Sequence, residues 1–279
     1  MAYLKIAAVA LAFSSLLCAC GGGSLAPEDN QQITSVEVKS AAYSKQAVLW
    51  VGGNNLRDTL KVDTGICKNP VFNQAQSSPE RAVIKCTVTT TGEQALNIVG
   101  TKGQLLYSGK LTVLQPQVVM VTSQGSVTLE LDPAVAPVSV TNFLAYVNND
   151  YYRNTLFHRI VVGFVAQGGG YTTGLVKKPG QLAPIVLESN KGLLNSRSTL
   201  AMARTNAPNS ATSEFYINLV DNPSLDYQSA ASPGYAVFGR VIKGMDIVDK
   251  IAAVKTSRLN GFENVPTSDV IIESTVQTQ

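Results

Sequence analysis

The stretch FHRIVVGFVAQGGG, residues 157–170, carries the side chains with the clearest chemical potential. His158 is the only histidine of the 279 residues, and Arg159 stands directly beside it. A guanidinium is a rigid fork of five N–H donors that stays charged at any relevant pH. Adjacent residues of a strand point to opposite faces, so the two side chains cannot serve one surface. We predict one face with Arg159 as a fixed donor, and a structural, hydrogen-bonded His158 on the other.

General-base catalysis by His158 is the competing interpretation. A serine hydrolase would also need a nucleophile on a strand-to-helix elbow, and the sequence has no such motif. A zinc site is disfavoured as well, because two cysteines and one distant histidine do not supply four ligands. We predict no metal. The glycines that follow, 168–170, allow positive φ and close backbone approach where the strand ends, and they also fit a plain turn.

The elements around this stretch predict a mainly β unit with two helices. SVTLELD (126–132) alternates as a half-buried strand, and further strands are predicted at TLFHRIV, GFVAQ, TLAMAR, SEFYINL, YAVFGRVI and DVIIESTV. In 137–150, Val140, Phe143, Leu144 and Val147 follow helical spacing, with Pro137 near the start. A second helix is predicted over 244–254. Many strands with two helices indicate a closed barrel capped by helices.

Residues 33–115 show a different sequence pattern. Short β-rich runs are separated by turn-forming clusters at a spacing near ten residues. This pattern predicts a small β-sandwich of immunoglobulin-like type. Trp50 is predicted to be a core residue rather than a ligand platform. No group of chemically active side chains stands out here, so a spacer or binding module is the expected role.

The first 19 residues are typical of an export signal. One early lysine precedes an uncharged, mostly apolar run of 12 residues (6–17), too short for a membrane-spanning helix, which needs roughly 20 residues. Leu17-Cys18-Ala19-Cys20 resembles the bacterial lipobox, which implies lipidation of Cys20 and a membrane anchor; an ordinary secretory signal is the alternative. Residues 20–32 then form a flexible tether.

The remaining cysteines, Cys67 and Cys86, form an even pair in an exported chain, and a disulfide is predicted between them. The net charge is +3 with acids and bases interleaved, and no basic tract suggests binding to nucleic acid.

Several motifs together resemble the cyclophilin-type peptidyl-prolyl isomerases, notably the short bacterial periplasmic ones. They are FHRIVVGFVAQGGG, LAMARTNAPNSATSEFYINL, SLD and YAVFGRVIKGMDIVDKI, in the family's order and spacing. The resemblance covers residues 117–276 and implies an eight-stranded antiparallel barrel with two capping helices. It also implies that proline-containing polypeptides are the substrates. No cofactor is expected, because the reaction breaks no bond.

The resemblance assigns roles residue by residue. Arg159 becomes the catalytic arginine that favours the twisted amide, and Gln167 the glutamine that hydrogen-bonds the substrate backbone and orients Arg159. The substrate-binding set is completed by Phe164, Met202, Ala203, Arg204, Glu214, Phe215, Tyr216 and Leu225. Strict alignment puts Tyr216 at the family's pocket phenylalanine and Phe215 inside the barrel.

Three positions depart from the family pattern. Glu214 replaces a glutamine and is expected to pair with Arg159 or Arg204; Arg204 itself replaces the usual groove asparagine. Ser224 replaces a common tryptophan, and the loss of this tryptophan should weaken the binding of cyclosporin-type drugs more than it lowers catalysis.

Three interpretations stay open at this point. The first is an active isomerase for exported proteins, lipid-anchored in the cell envelope on the periplasmic side of the outer membrane. The second is a catalytically weak peptide-binding module or holdase with the same groove. The third is a surface lipoprotein used in adhesion.

Overall fold

The computed structural model describes residues 30–56, 60–63, 65 and 67–279. The chain forms two compact units, of which the first ends at Leu114 and the second covers Gln115–Gln279. The predicted signal peptide (1–19), the predicted lipidation site Cys20 and nearly all of the predicted tether lie outside the described residues. No helix in the described part of the chain is long and apolar enough to cross a membrane.

The first unit consists of two antiparallel sheets. Its strands are β1 (Gln32–Ser40), β2 (Gln46–Asn54), β3 (Lys61–Asp63), β4 (Cys67–Phe72), β5 (Arg81–Val88), β6 (Gly92–Val99) and β7 (Leu105–Val113), with a short 3-10 turn at Gln74–Gln76. One sheet has the order β1-β2-β5-β4 and the other β3-β6-β7. The described residues begin inside the predicted tether, where Gln31 is buried and its Oε1 accepts a hydrogen bond from Thr101 N at 2.9 Å.

Alternating residues of both sheets bury their side chains in one core. Leu49 and Val51 of β2 and Ile84 of β5 meet Leu96 and Ile98 of β6 in this cluster. The alternation puts every second residue of a strand on the inner face, so the two sheets form a two-layer sandwich around an apolar centre.

Trp50 lies on the outer face of the first sheet, and its predicted place in the core is wrong. Its neighbours Leu49 and Val51 point into the core, so the strand period of two turns the indole outward. There it is half-buried, with Lys39 Nζ 4.4 Å and the Arg81 guanidinium carbon 5.1 Å from the ring centroid. The apolar character of the residue suggested burial, and the strand register overrides it.

The predicted disulfide between Cys67 and Cys86 is confirmed. It joins neighbouring strands β4 and β5 of the same sheet. Cys86 belongs to the buried core of this unit, and Cys67 packs against that core from the strand beside it.

The second unit contains two helices and thirteen strands. The strands are β8 (Gln117–Thr122), β9 (Gly125–Leu131), β10 (Thr155–Leu156), β11 (Arg159–Val161), β12 (Val165–Gly168), β13 (Tyr171–Thr172), β14 (Val176–Lys177), β15 (Thr199–Met202), β16 (Phe215–Asn218), β17 (Val237–Lys243), β18 (Thr256–Leu259), β19 (Phe262–Pro266) and β20 (Ile271–Gln277). The helices are α1 (Pro137–Asn148) and α2 (Met245–Ala252), and a 3-10 turn spans Pro223–Leu225. Nine strands form one curled sheet in the order β10-β20-β8-β9-β17-β15-β16-β12-β11, while β13-β14 and β18-β19 are separate pairs.

The main sheet has nine strands where eight were predicted. The difference arises in TLFHRIV, which is one strand in the prediction and two in the structure, because pairing stops at Phe157 and His158. β10 and β11 stand at the two ends of the strand order, so this short segment of chain connects the two edges of the curled sheet.

Helix α1 presents the predicted apolar face to the sheet, with Val140, Phe143, Leu144 and Val147 all buried. Its first turn is closed by a carboxylate from a distant loop. Glu188 Oε2 accepts hydrogen bonds from the Ser139 N–H and hydroxyl, both at 2.8 Å, and its Oε1 accepts one from Val138 N at 3.1 Å. A negative charge at a helix N-terminus satisfies free N–H groups and matches the helix dipole.

Candidate active site

One row of directly opposed residues crosses five strands of the curled sheet. Arg159 on β11 faces Gln167 on β12, and Gln167 faces Tyr216 on β16. Tyr216 in turn faces Ala201 on β15, which faces Val237 on β17. Residues directly opposite each other in antiparallel strands share a face of the sheet. The register therefore places the guanidinium, an amide and an apolar surface side by side.

The apolar part of this face is a compact pocket cluster. Four buried residues, Val165, Ala201, Tyr216 and Val237, form its floor. The half-buried residues packed against them are Phe164, Leu193, Ala203, Leu225 and Tyr235. Of the predicted substrate-binding residues, the structure thus brings Phe164, Ala203, Tyr216 and Leu225 together next to Arg159 and Gln167.

Two other predicted pocket residues, Met202 and Phe215, are placed on the opposite face. Phe215 is fully buried and packs edge-on against Phe143, Tyr152 and Phe157 in the interior of the unit. Met202 is buried too and lies opposite Phe215 in the strand register. Strand alternation accounts for both, because their neighbours Ala201 and Tyr216 belong to the pocket cluster.

Sequence reasoning missed Val165, Leu193 and Tyr235. Val165 had a usable signal, because a residue two positions from Gln167 in a strand shares its face. Leu193 and Tyr235 had none, since both lie in irregular segments. The backbone N–H of Tyr235 donates to Leu225 O at 2.9 Å, and this long-range contact is what brings the ring to the cluster.

Arg204 is held at the edge of the pocket cluster. Its Nε and Nη2 donate to Gly234 O at 2.9 and 2.8 Å, and its Nη1 donates to Thr205 O at 2.8 Å. The guanidinium also lies 4.5 Å from the centroid of the Tyr235 ring. These contacts fix the Tyr235 ring and leave Arg204 without the predicted ion pair to Glu214.

The predicted pair between Glu214 and Arg159 is indirect. Arg159 Nη1 donates to Gln167 Oε1 at 3.3 Å, and Gln167 Nε2 donates to Glu214 Oε2 at 2.9 Å. The same oxygen, Glu214 Oε2, lies 3.4 Å from His158 Nε2. Gln167 thus separates the carboxylate from the guanidinium, and Glu214 neutralises no charge on Arg159 through direct contact.

His158 is 4% exposed and lies just before β11, where pairing is interrupted. Its ring centroid is 4.7 Å from that of Tyr171. The break in the strand lets the imidazole turn aside and reach Glu214, although Arg159 is its direct neighbour. Its Nδ1 has no hydrogen-bond partner among the described residues, and its Nε2 faces the carboxylate of Glu214 rather than a serine hydroxyl.

Glu214 is ionised at neutral pH. Burial by itself would raise the pKa of its carboxyl group. The contacts with His158 and then Gln167 outweigh burial, the charge of Lys177 adds to their effect, and the pKa lies below its ordinary value. The space for this side chain comes from Gly170, where a Cβ would lie 2.6 Å from Glu214 Oε1.

Among the described residues, no group of three or more histidine, cysteine, aspartate or glutamate side chains could hold a metal ion. The face offers a fixed cation, an amide with both ends hydrogen-bonded, and an apolar surface. Such a face can bind and orient a polar backbone beside an apolar ring.

Comparison with known proteins identifies the family. The family model for "Cyclophilin type peptidyl-prolyl cis-trans isomerase/CLD" matches residues 117–277, more than half of the chain. The chain belongs to this family. Its second unit is thus a cyclophilin-type peptidyl-prolyl isomerase, here called the cyclophilin unit.

Individual relatives agree. Peptidyl-prolyl cis-trans isomerase B of Escherichia coli is 48% identical over 155 residues, which are 55% of this chain and 94% of the relative. Peptidyl-prolyl cis-trans isomerase cyp18 of Streptomyces antibioticus is 50% identical over 155 residues, 55% of this chain and 93% of the relative. A crystal structure of a cyclophilin-type isomerase from Cryptosporidium parvum, in the presence of the dipeptide Ala-Pro, matches with a TM-score of 0.51 and 27% identity, and covers 58% of this chain and 99% of that one.

A buried polar network supports the pocket of the cyclophilin unit from below. The Tyr216 hydroxyl donates to Asn195 Oδ1 at 2.7 Å, and the backbone N–H and side-chain amide of Asn195 donate to Asp226 Oδ1 at 2.6 and 2.9 Å. Asn218 Nδ2 also donates to Asn195 Oδ1, at 3.3 Å. A phenylalanine at position 216 would leave Asn195 without this donor, so the tyrosine joins the pocket to the loop that carries Leu225.

Ser224 in the cyclophilin unit is exposed, beside Leu225 in the 3-10 turn. The position of the family's tryptophan therefore presents a small hydroxyl to solvent, and Leu225 and Tyr235 line this edge of the pocket instead.

Proposed function

We propose that the cyclophilin unit accelerates cis–trans exchange of X-Pro bonds in exported polypeptides, with the proline ring in the pocket cluster and Arg159 facing the prolyl amide. The supporting observation is the cross-strand row, which sets Arg159 and Gln167 beside Tyr216 on one face. Rotation of the amide costs ~18–20 kcal/mol without help. Lowering that barrier needs no nucleophile, metal or cofactor, because no bond breaks.

The chemistry follows from what changes at the top of the barrier. In the twisted amide, resonance is lost and the prolyl nitrogen becomes a hydrogen-bond acceptor. A fixed N–H donor binds this form more tightly than either planar form, and preference for the transition state is what accelerates a reaction. Arg159 supplies the donor from a sheet strand, which holds it more firmly than a loop would. The hydrogen bond to Gln167 limits the motion of the guanidinium.

The pocket cluster has a separate role, which is to bind the proline ring. We assign the pyrrolidine ring to the apolar surface of Phe164, Tyr216 and Leu225, which belong to one cluster. These residues would hold the ring still while the polypeptide on the other side of the amide rotates. The binding energy of the ring would then lower the barrier to rotation of the amide. We assign Ala203 and Arg204 to the edge, where the peptide backbone would lie.

The test is exchange spectroscopy by NMR on a short Ala-Pro peptide, with residues 21–279 and the Arg159→Ala variant. Faster exchange that disappears in the variant supports the proposal. Exchange no faster than in the peptide alone, from a protein with a folded NMR spectrum, would exclude it. Retained peptide binding in that case would favour the binding-module or holdase alternative, which uses the same groove.

For the first unit we propose an immunoglobulin-like sandwich that serves as a spacer or as a binding module for clients. The support is its strand order. With its seven strands lettered A to G, the sheets are A-B-E-D and C-F-G, the arrangement of constant-type immunoglobulin domains.

We propose a location in the cell envelope, anchored through a lipid on Cys20. The disulfide between Cys67 and Cys86 supports an oxidising compartment, since such bonds are rare where thiols are kept reduced. Metabolic labelling with a palmitate analogue tests the anchor, and loss of label in Cys20→Ser is the expected result.

A further inference from the structure

We infer that Glu214 is a positioning residue, which holds the amide of Gln167 so that its carbonyl oxygen faces Arg159, and that His158 holds Glu214 in turn. This inference rests on the proposed isomerase function and concerns the same face of the cyclophilin unit.

The direction of each hydrogen bond determines how the Gln167 amide is oriented. An ionised carboxylate can only accept, so Gln167 must turn its Nε2 toward Glu214. The other end of that amide, Oε1, then points to Arg159, which can only donate. Each bond fixes the direction of the next, and the amide has one favourable orientation.

A glutamine at position 214 would not have this effect. Its amide could donate or accept, so Gln167 could sit in either of two flipped orientations. In one of them an NH₂ group would face the Arg159 guanidinium, and two donors repel. The carboxylate removes that orientation.

His158 is buried beside the Glu214 carboxylate. Its Nδ1 is buried and has no hydrogen-bond partner in the described part of the chain, while its Nε2 lies 3.4 Å from Glu214 Oε2. The ring thus presents Nε2, and not Nδ1, to the carboxylate oxygen that accepts from Gln167. This contact limits the movement of Glu214 within the site.

Several charged and titratable groups surround Glu214. They are His158 from the strand break, Lys177 on β14 and Tyr171 on β13, with Arg159 beyond Gln167. Lys177 is exposed. Burial raises the pKa of Glu214, but His158, Gln167 and Lys177 outweigh it and keep the carboxyl group ionised at neutral pH. The orientation of Gln167 is therefore maintained there and lost when acid protonates the carboxyl group. The folded pKa lies below the ordinary 4.5, so the loss occurs as pH falls below that value.

The experiment measures kcat/KM of the full chain for Ala-Pro exchange in a double-mutant cycle. Glu214→Met keeps the length of the side chain but cannot accept the hydrogen bond. We expect it to lower kcat/KM about tenfold, because loss of an orienting contact lets the catalytic group drift. In a Gln167→Ala background the same change should cost nothing further, because the effect of Glu214 passes through Gln167. An equal loss in both backgrounds, or no loss in either, would overturn the inference.

A second variant keeps the inference falsifiable if Glu214→Met does not fold. Glu214→Gln retains an acceptor oxygen but cannot titrate. The wild-type enzyme should lose activity reversibly as pH falls below 4.5, and Glu214→Gln should not show that loss over the range in which both stay folded by circular dichroism. A loss of the same size in both proteins would contradict the role of the carboxylate.

Glu188→Gln is the matched control. It alters a buried carboxylate of the same unit, whose hydrogen bonds go to the first turn of helix α1. It should lower stability and leave kcat/KM of the folded enzyme unchanged. If the wild-type protein and this control both fail to catalyse exchange, the proposed function fails. If both catalyse exchange but the cycle shows no coupling, only the present inference fails.

Discussion

Arg159 lies directly opposite Gln167 in an antiparallel strand pair, with the guanidinium Nη1 3.3 Å from the amide oxygen. This pair places a permanent positive charge and a polar amide at the border of the pocket cluster. Because both residues belong to strands, the strand register fixes their separation.

Arg159→Ala should abolish most of the catalysis while leaving peptide affinity nearly unchanged. Removing one preorganised donor to a developing acceptor commonly costs about a hundredfold or more in rate. The pocket residues that hold the proline ring are untouched. NMR exchange rates measure the first effect and peptide titration the second. A fall in affinity as large as the fall in rate would show that Arg159 only binds the ground state.

Tyr216→Phe should destabilise the cyclophilin unit by about 1 kcal/mol, the usual net contribution of one hydrogen bond. The variant keeps the aromatic face of the pocket but removes the donor to Asn195. Denaturant unfolding followed by far-UV circular dichroism measures the loss. Exchange activity should stay within a few-fold of wild type. Unchanged stability would mean that the hydroxyl is replaced by water without penalty.

Gly169→Ala should be more destabilising than Gly261→Ala. Both glycines have positive φ, +86° and +84°, so both substitutions carry a similar backbone cost. At Gly169 a Cβ would also lie 2.8 Å from Tyr152 Cε1 and 3.0 Å from Phe215 Cε1, whereas Gly261 has open space. Overpacking of this kind costs roughly 1–3 kcal/mol beyond the backbone effect. Thermal unfolding of the two variants gives the comparison, and equal losses would contradict it.

Replacing both Cys67 and Cys86 by serine should destabilise the first unit by about 3 kcal/mol, the chain-entropy value for a loop of this length. Trp50 is the only tryptophan of the chain and lies in this unit, so indole fluorescence reports its unfolding selectively. The site residues belong to the other unit, and the exchange rate should not change. A parallel loss of exchange would show that the two units depend on each other.

Periodicity and local register were enough to predict much of this molecule. The buried face of α1 and the alternation of β9 follow from residues close together in sequence. The resemblance located Arg159, Phe164, Gln167 and Tyr216, which the structure gathers on one face.

What the sequence did not reveal depends on contacts between distant segments. Tyr235 reaches the pocket through a backbone bond to Leu225, and Asn195 reaches Tyr216 from a loop. No local pattern encodes such contacts. The break at Phe157 and His158 was missed for a related reason, because the segment is β-rich and only the closing of the curled sheet interrupts its pairing.

The pairing of β20 with β8 also has a consequence for the order in which the cyclophilin unit is built. β8 is the first strand of the unit and β20 the last, and they lie side by side as the third and second strands of the nine. A ribosome that has delivered every residue of the pocket has therefore not yet delivered the strand that completes the sheet. We expect the nascent chain to stay inactive until Ile271–Gln277 emerges, so that enzymatic activity reports the completion of this sheet.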